Sequence, residues 1–238
     1  MGEWQDARQE YERAIALMHQ AALPWGAAYP HLGLGIQLLA EGQAQAGLVL
    51  LEEALSLAQR DQNHEAARDA QNTLAGYDLF LERPQRARDR LESLRGGAGP
   101  EDSGMIALLS FLAWAYLEIG DAAQAQSLVD QALSGARARQ MRLALTDALA
   151  VQARVAAHRQ HWHEAEQALD EMLTVARAIP CPYDEAKAHY VAGLVSMRQG
   201  KHAETRTHFE AALAILHRLG ERLYTERVEQ ALVVLEGP

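Results

Sequence analysis

Apolar and polar positions alternate along the chain with a helical period, and the alternation repeats about every forty residues. The clearest stretch runs from Leu112 to Leu133 and holds two amphipathic segments joined by Gly120-Asp121. Residues three and four apart lie on one face of a helix, so each segment has one apolar face to bury. The pattern predicts pairs of helices, about twelve helices in all, and no strand.

Four positions of this stretch recur in register along the chain. A small residue of the second helix recurs at spacings of 40, 40, 38, 40 and 40 residues, as Ala7, Gly47, Ala87, Ala125, Ala165 and Thr205. The large residue four positions later reads Tyr11, Leu51, Leu91, Val129, Leu169 and Phe209. The small residue of the first helix reads Gly35, Ala75, Ala113, Ala153 and Gly193, and the turn reads Gly2, Gly42, Glu82, Gly120, Gln160 and Gly200.

These residue types have a physical reason. Small side chains at a helix crossing let two backbones approach closely, and the large residue one turn away fills the space beside the crossing. A glycine at the turn takes the positive φ that ends a helix. A helix-turn-helix pattern at a fixed step of this size indicates an α-solenoid. We predict one all-α, right-handed solenoid of about six such repeats.

The register divides the predicted domain, 1–238, into a half-repeat, five full repeats and a terminal helix. Their bounds are 1–26, then 27–64, 65–104, 105–140, 141–182 and 183–220, then 221–238. The glycine-rich stretch Gly96–Gly104 is the one segment whose composition predicts flexibility. Because the chain starts and ends within a repeat, we expect a segment of a longer protein, with self-association through the half-repeat.

The repeated residues resemble the tetratricopeptide repeat (TPR) family over essentially the whole chain. One repeat carries Leu34-Gly35, Leu38, Gly42, Gly47, Leu51 and Ala54, and another carries Leu112-Ala113, Tyr116, Gly120, Ala125, Val129 and Ala132. The period departs from the roughly 34 residues usual in the family, and the proline that often closes a repeat is missing. In their longer period these repeats resemble the sensor regions of LuxR-type bacterial regulators built on STAND-class ATPases.

Composition narrows the class of protein. Hydrophobic residues make up 49% of the 238 residues, which is enough for a continuous core. The net charge of −10 argues against direct nucleic-acid binding. The single cysteine, the polar N-terminal stretch and the lack of an apolar run of membrane-spanning length together favour a cytoplasmic location and no membrane association.

The sequence carries no recognisable catalytic motif. It has neither a phosphate-binding G-x-x-x-x-G-K-[ST] loop nor an H-E-x-x-H pair. The spacing of the polar cluster His158, His161, His163 and Glu164 is compatible with zinc binding, but a solvated turn between helices explains the cluster better. No basic residue adjoins Cys181 to activate its thiol. We expect no enzymatic activity, no metal and no cofactor.

The resemblance to TPR proteins implies that the first helix of each repeat lines a concave groove that binds the ligand. The groove residues predicted by register are Tyr29, Leu32, Ile36, Leu39, Asn72, Phe80, Phe111, Trp114, Arg154, His158, Lys187, Tyr190, Leu194, Met197 and Arg198. The alternative is that the longer repeats curl tightly and bury these residues as core. Asn72 stands without the lysine and asparagine partners of the carboxylate-clamping TPR variant, so that variant is disfavoured.

The predicted groove has a charge of its own. In the fourth and fifth full repeats the groove positions hold Arg154, Lys187 and Arg198 against Asp147 alone, and His158 adds positive charge at acidic pH. A cationic patch in a concave wall attracts anions whatever the net charge of the chain. We therefore expect a peptide or protein ligand that is acidic and apolar, or an amphiphilic anion.

These inferences favour a non-catalytic protein-protein or peptide interaction module. Its expected host is a larger signalling or transcription-regulating protein, in which it serves as the regulatory or sensor segment. One alternative is a domain that binds a small molecule and controls an attached ATPase or DNA-binding domain. The other is an architectural scaffold, acting as a spacer or oligomerisation element.

Overall fold

The computed structural model describes residues 4–20, 26–95, 103–179 and 181–236, and all regular structure within them is α-helical. The helices are α1 (Trp4–Gln20), α2 (Ala28–Ala40), α3 (Ala44–Arg60), α4 (His64–Phe80), α5 (Pro84–Glu92), α6 (Ser103–Ile119), α7 (Ala122–Ala138), α8 (Arg142–His158), α9 (Trp162–Arg177), α10 (Pro182–Arg198), α11 (His202–Leu219) and α12 (Leu223–Glu236). The predicted helix count and the all-α class are confirmed over these ranges. None of these helices combines the length and the apolar character needed to cross a bilayer.

The contacts divide the chain into two compact units, with the boundary between residues 96 and 97 of the sequence. We call them the N-terminal unit, with α1 to α5, and the C-terminal unit, with α6 to α12. In both, a first helix packs against the second helix that follows it, as α6 does against α7, and also against the first helix of the next repeat. This construction is that of a TPR-like α-solenoid. Of the predicted flexible stretch, residues 96–102 lie outside the described residues, and the single domain over 1–238 stays a prediction.

The helix crossings form where the repeated small residues predicted them. Ala113 and Ala125 are fully buried in the first repeat of the C-terminal unit, and Ala153 and Ala165 are fully buried in the next. At the corresponding crossing of α2 with α3, a Cβ added to Gly47 would lie 2.9 Å from the carbonyl oxygen of Gly35. Two backbones this close leave no room for a larger side chain, which explains the residue types at these positions.

The turns repeat one backbone conformation. Gly42, Glu82, Gly120, Gln160 and Gly200 each follow a first helix, and all five have positive φ, from 58° at Glu82 to 98° at Gly120. At the first of them Gln43 N–H donates to Leu38 O at 2.8 Å, and Gly42 N–H donates to Leu39 O at 3.0 Å. This pair of hydrogen bonds defines a Schellman motif. The recurring geometry is therefore kept even where the residue is not glycine.

Helix α1 behaves as a second helix whose first helix is missing. Tyr11 lies across α2, where a Cβ added to Gly33 would be 2.5 Å from the tyrosine ring. Ala7, the counterpart of the buried Ala125, is exposed, and Leu17 is 54% exposed. The side of α1 that would face a first helix is thus open in the N-terminal unit.

The crossing of α6 with α7 can be tested by overpacking. Ala125→Leu inserts three carbon atoms into a fully closed contact and should lower the free energy of unfolding by about 1–3 kcal/mol. Ala123→Leu is the matched control, because Ala123 lies on the same helix and is exposed. Denaturant unfolding of the two variants measures the difference. Equal midpoints for the two would mean that the register of the repeats is assigned wrongly.

Candidate functional site

The first helices of the C-terminal unit lie side by side and form the candidate site. Helix α6 contacts α8, α8 contacts α10, and α10 contacts α12. Side chains forty residues apart occupy the same register position on neighbouring helices, so Trp114, Arg154 and Leu194 follow one another from α6 to α10. We call this array the first-helix face. Two groups of charged and aromatic side chains lie on it.

Lys187 of α10 is the centre of the first group. Its Nζ lies 2.6 Å from Oδ1 of Asp184, three residues earlier, and 3.1 Å from Oδ1 of Asp147 on α8. Burial alone lowers the pKa of this lysine, but the charges of Asp147 and Asp184 outweigh it and hold the pKa well above the usual value. The predicted contribution of Lys187 to a cationic groove is therefore corrected: two carboxylates neutralise it, and it ties α8 to α10.

Three tyrosines pack beside Lys187 at the junction of α10 with α12. The ring of Tyr224 stands edge-on to Tyr190 at a centroid distance of 5.3 Å and to Tyr183 at 5.9 Å. The Lys187 Nζ lies 5.5 Å from the centroid of the Tyr183 ring. Burial raises the pKa of Tyr224 to about 12, against the opposing charges of Lys187 and Arg154.

Glu221 holds the start of α12 in place beside these rings. Its carboxylate is 1% exposed and accepts hydrogen bonds from the N–H groups of Tyr224 at 2.9 Å and Thr225 at 3.1 Å. Tyr183 Oη–H donates to it at 3.5 Å. Burial raises the pKa of Glu221, although these hydrogen bonds oppose the rise. A carboxylate at a helix N-terminus stabilises the helix, so Glu221 has a structural role.

Arg154 and Trp114 make up the second group. The Arg154 guanidinium carbon lies 4.6 Å from the centroid of the Trp114 ring, a cation-π contact between α8 and α6. The indole Nε1–H donates to Glu118 Oε1 at 2.9 Å, one turn along α6. Both side chains are partly exposed. Among the described residues, no carboxylate lies within ion-pair distance of Arg154, so its planar edge remains available to a ligand.

The other predicted groove residues of the C-terminal unit are placed around these two groups. Phe111, Leu194 and Met197 are half-buried on the first-helix face, and His158 and Arg198 are exposed. Together with Trp114 they give the face an apolar surface with Arg154 and Arg198 as cations. Their role in binding stays a prediction.

In the N-terminal unit the predicted groove residues separate into two sets. Tyr29 is 42% exposed, Ile36 is 44% exposed, and Phe80 is half-buried. Leu32 and Leu39 are buried at 8% and 5% in a core that includes Leu51 and Leu74. Asn72 is buried at 4%. The prediction is corrected for these three residues, because α3 and α4 cover the side of α2 that carries the two leucines, and Asn72 is itself buried within α4.

Part of the site has a direct signal in the sequence. Asp147 and Lys187 are forty residues apart, so they occupy the same register position on adjacent helices with opposite charges. That spacing alone indicates an ion pair. Tyr183, Tyr224 and Glu221 had no such signal, because they lie at the starts of α10 and α12, outside the register positions used for the groove.

Cys181, which precedes α10, is partly buried. Burial, together with the charge of Asp184, raises the pKa of its thiol. A raised pKa lowers the fraction of thiolate, so the thiol is a poor nucleophile at neutral pH.

Comparison with known proteins supports the fold alone. No protein-family model matches the chain, and no curated protein matches it. The solved structure of BtubC (BKLC) from P. vanneervenii is similar to it with a TM-score of 0.60 and 14% identity, covering 92% of this chain and 93% of that one. YrrB, described as a TPR protein with an unusual peptide-binding site, has a TM-score of 0.43 and 17% identity, covering 91% of this chain and 97% of that one. The first of these likenesses shows a shared all-helical fold.

The role of Lys187 can be tested through stability. Lys187→Met leaves the carboxylate of Asp184, which is 4% exposed, without its cation. We expect the free energy of unfolding to fall by about 1–3 kcal/mol, because an unpaired buried charge keeps its full desolvation cost. Adding Asp184→Asn should recover much of the loss.

Denaturant unfolding measures both variants. Arg198→Met is the control, since Arg198 lies on the same helix and is exposed, and it should shift stability by no more than about 0.5 kcal/mol. If Lys187→Met and Arg198→Met unfold alike, Lys187 does not hold the helices together.

Proposed function

We propose that this chain is a non-catalytic interaction module that binds a peptide or protein segment along the first-helix face of the C-terminal unit. The observation that carries the proposal is Arg154, stacked on Trp114 with no carboxylate partner among the described residues. A stacked guanidinium keeps its N–H fork in one orientation and loses little freedom when a carboxylate binds. The first-helix face therefore offers a preorganised anion contact beside an apolar surface.

The proposed ligand segment is acidic and apolar. Arg154 and Arg198 supply the positive charge, while Lys187 adds none because Asp147 and Asp184 neutralise it. Trp114, Leu194 and Met197 are partly exposed and can cover apolar side chains of the ligand. The ligand should thus place one carboxylate at Arg154, with aliphatic or aromatic residues on either side. An amphiphilic small anion has the same chemistry and is the alternative ligand.

The proposed setting is the regulatory or sensor segment of a larger cytoplasmic signalling or transcription-regulating protein. Support comes from the resemblance of the forty-residue repeats to LuxR-type and STAND-class sensor regions, and from the single cysteine. In the N-terminal unit, exposed Tyr29 and Ile36 are a separate candidate contact surface.

The open side of α1 supports self-association as an additional proposal. Ala7 is exposed where its counterparts in the other repeats are buried, and Leu17 is 54% exposed. Sedimentation velocity over a hundredfold range of concentration should show a rising average mass. Leu17→Lys should abolish the rise, because a charge in an apolar contact must be desolvated, whereas Glu10→Lys, also on α1 and exposed, is the control. A monomer at all concentrations contradicts self-association.

Ligand selection tests the binding proposal without knowledge of the natural partner. Peptides selected from a random displayed library against the whole chain should be enriched in Asp or Glu next to apolar residues. Arg154→Ala should weaken binding of a selected peptide by about tenfold or more, since a charge-assisted hydrogen bond contributes about 1.5–3 kcal/mol. Arg154→Lys should recover only part of the affinity, because lysine lacks the planar fork.

Binding should also weaken with added salt, which screens exposed charges over about 8–10 Å.

Arg159→Ala is the control for Arg154→Ala, because Arg159 is exposed and already donates to Gln126 and to the Ala122 carbonyl. Equal loss in the Arg154→Ala and Arg159→Ala variants would overturn the assignment of Arg154. A saturable thermal shift with small amphiphilic anions and no enriched peptide would favour the sensor alternative.

A further inference from the structure

Two histidines face each other across the α10–α11 helix pair and have no part in the proposed binding face. The Nδ1 atoms of His189 and His208 are 3.2 Å apart, and the ring centroids are 5.5 Å apart. The side chain of His189 is 12% exposed and His208 is half-buried. They lie on two helices of one repeat, which are held together by the fully buried Phe209 against Gly193. Their separation is therefore set by helix packing.

The proton positions of His189 follow from its other neighbour. Its Nε2 lies 4.0 Å from Oε1 of Glu185, one turn earlier on α10, and the same oxygen accepts from Arg177 Nε at 2.8 Å. At 4.0 Å this carboxylate does not hydrogen-bond to Nε2, but its charge favours a proton there, and that tautomer leaves the Nδ1 lone pair facing His208. Either a proton on His208 Nδ1 or a metal ion must then lie between the two nitrogens.

The distance between the nitrogens suits a metal ion. A Zn–N distance of about 2.0–2.1 Å with tetrahedral angles places two ligand nitrogens about 3.3 Å apart. Burial lowers the pKa of both imidazoles, with the charge of His208 adding to the effect on His189.

Further ligand atoms can approach from a crevice beside His208. The crevice has a volume of about 230 Å³ and lies between α9, α10 and α11. It is lined by Asp170 and Glu204 as well as His208, and Glu204 precedes His208 by one helical turn. A carboxylate and an imidazole at i and i+4 lie on one face of a helix. The crevice thus places the carboxylates of Asp170 and Glu204 on the same open space as His208.

We propose that His189 and His208 bind a divalent transition-metal ion of the zinc, nickel or copper class, which ties α10 to α11. In the described part of the chain no group of three or more His, Cys, Asp or Glu is already positioned around one point. The protein therefore supplies two ligands, and water, or a reoriented Glu204 or Asp170, completes the coordination. Imidazole is the ligand these ions share, whereas Mg²⁺ and Ca²⁺ prefer oxygen and should not bind.

Titration of the whole chain with zinc chloride and nickel chloride tests the site, after removal of metal with a chelator. Calorimetry should give one ion per chain at this site, and the melting temperature should rise by several degrees, because an ion that binds the folded state stabilises it. Magnesium chloride should give neither effect. His189→Asn and His208→Asn should each remove both the bound ion and the rise in melting temperature.

The control is His163→Asn, which alters an exposed histidine of the cluster at the start of α9 and should keep the zinc-dependent rise. If the two histidines form a hydrogen-bonded pair only, His208→Asn lowers the melting temperature of the metal-free protein and zinc has no effect on the parent chain. That result overturns the proposal. A zinc effect that survives His208→Asn but is lost in His163→Asn also overturns it, by assigning the ion to the surface cluster.

Discussion

The close approach of two helix backbones at each small-residue crossing is the constraint on which the rest of the structure depends. At α2 and α3 the contact is between Gly35 and Gly47, and at α6 and α7 the equivalent residues Ala113 and Ala125 are fully buried. With so little side chain between them, the helices cannot slide without a clash of backbone atoms. The register of each pair is therefore fixed by a few residues, and all longer side chains are placed relative to it.

A fixed register determines which side chains meet between repeats. The forty-residue step brings equivalent positions of successive first helices next to each other, so Asp147 meets Lys187 and Trp114 meets Arg154. Both contacts join residues that are forty apart, and neither requires a special loop or an irregular helix. The ion pair of the C-terminal unit and its proposed binding groups thus follow from the same repetition that builds the fold.

The fold could be predicted from the sequence because its signals are local and repeated. Small residues at Ala125 and Ala165 predicted the crossings, and turn positions such as Gly120 predicted the positive φ. The turn at Gln160, with φ of 61°, keeps that conformation without glycine, so the periodic position was a better guide than the residue type. Helix propensity and residue spacing are properties of the sequence itself, so they predict the crossings and the turns. Contacts between repeats depend instead on which side of each helix its neighbours cover.

The candidate site was predicted only in part, for the same reason. Leu32 and Leu39 had the register of groove residues, but α3 and α4 bury them. Lys187 had the register and the charge, yet its two aspartates cancel that charge. A one-turn slip of α10 against α8 would separate Lys187 from Asp147 and lose that ion pair, whereas Asp184 lies on the same helix as Lys187 and would move with it. The ion pair therefore reinforces the register set by the crossings. Arg154, by contrast, is a cation of the first-helix face that has no carboxylate partner among the described residues.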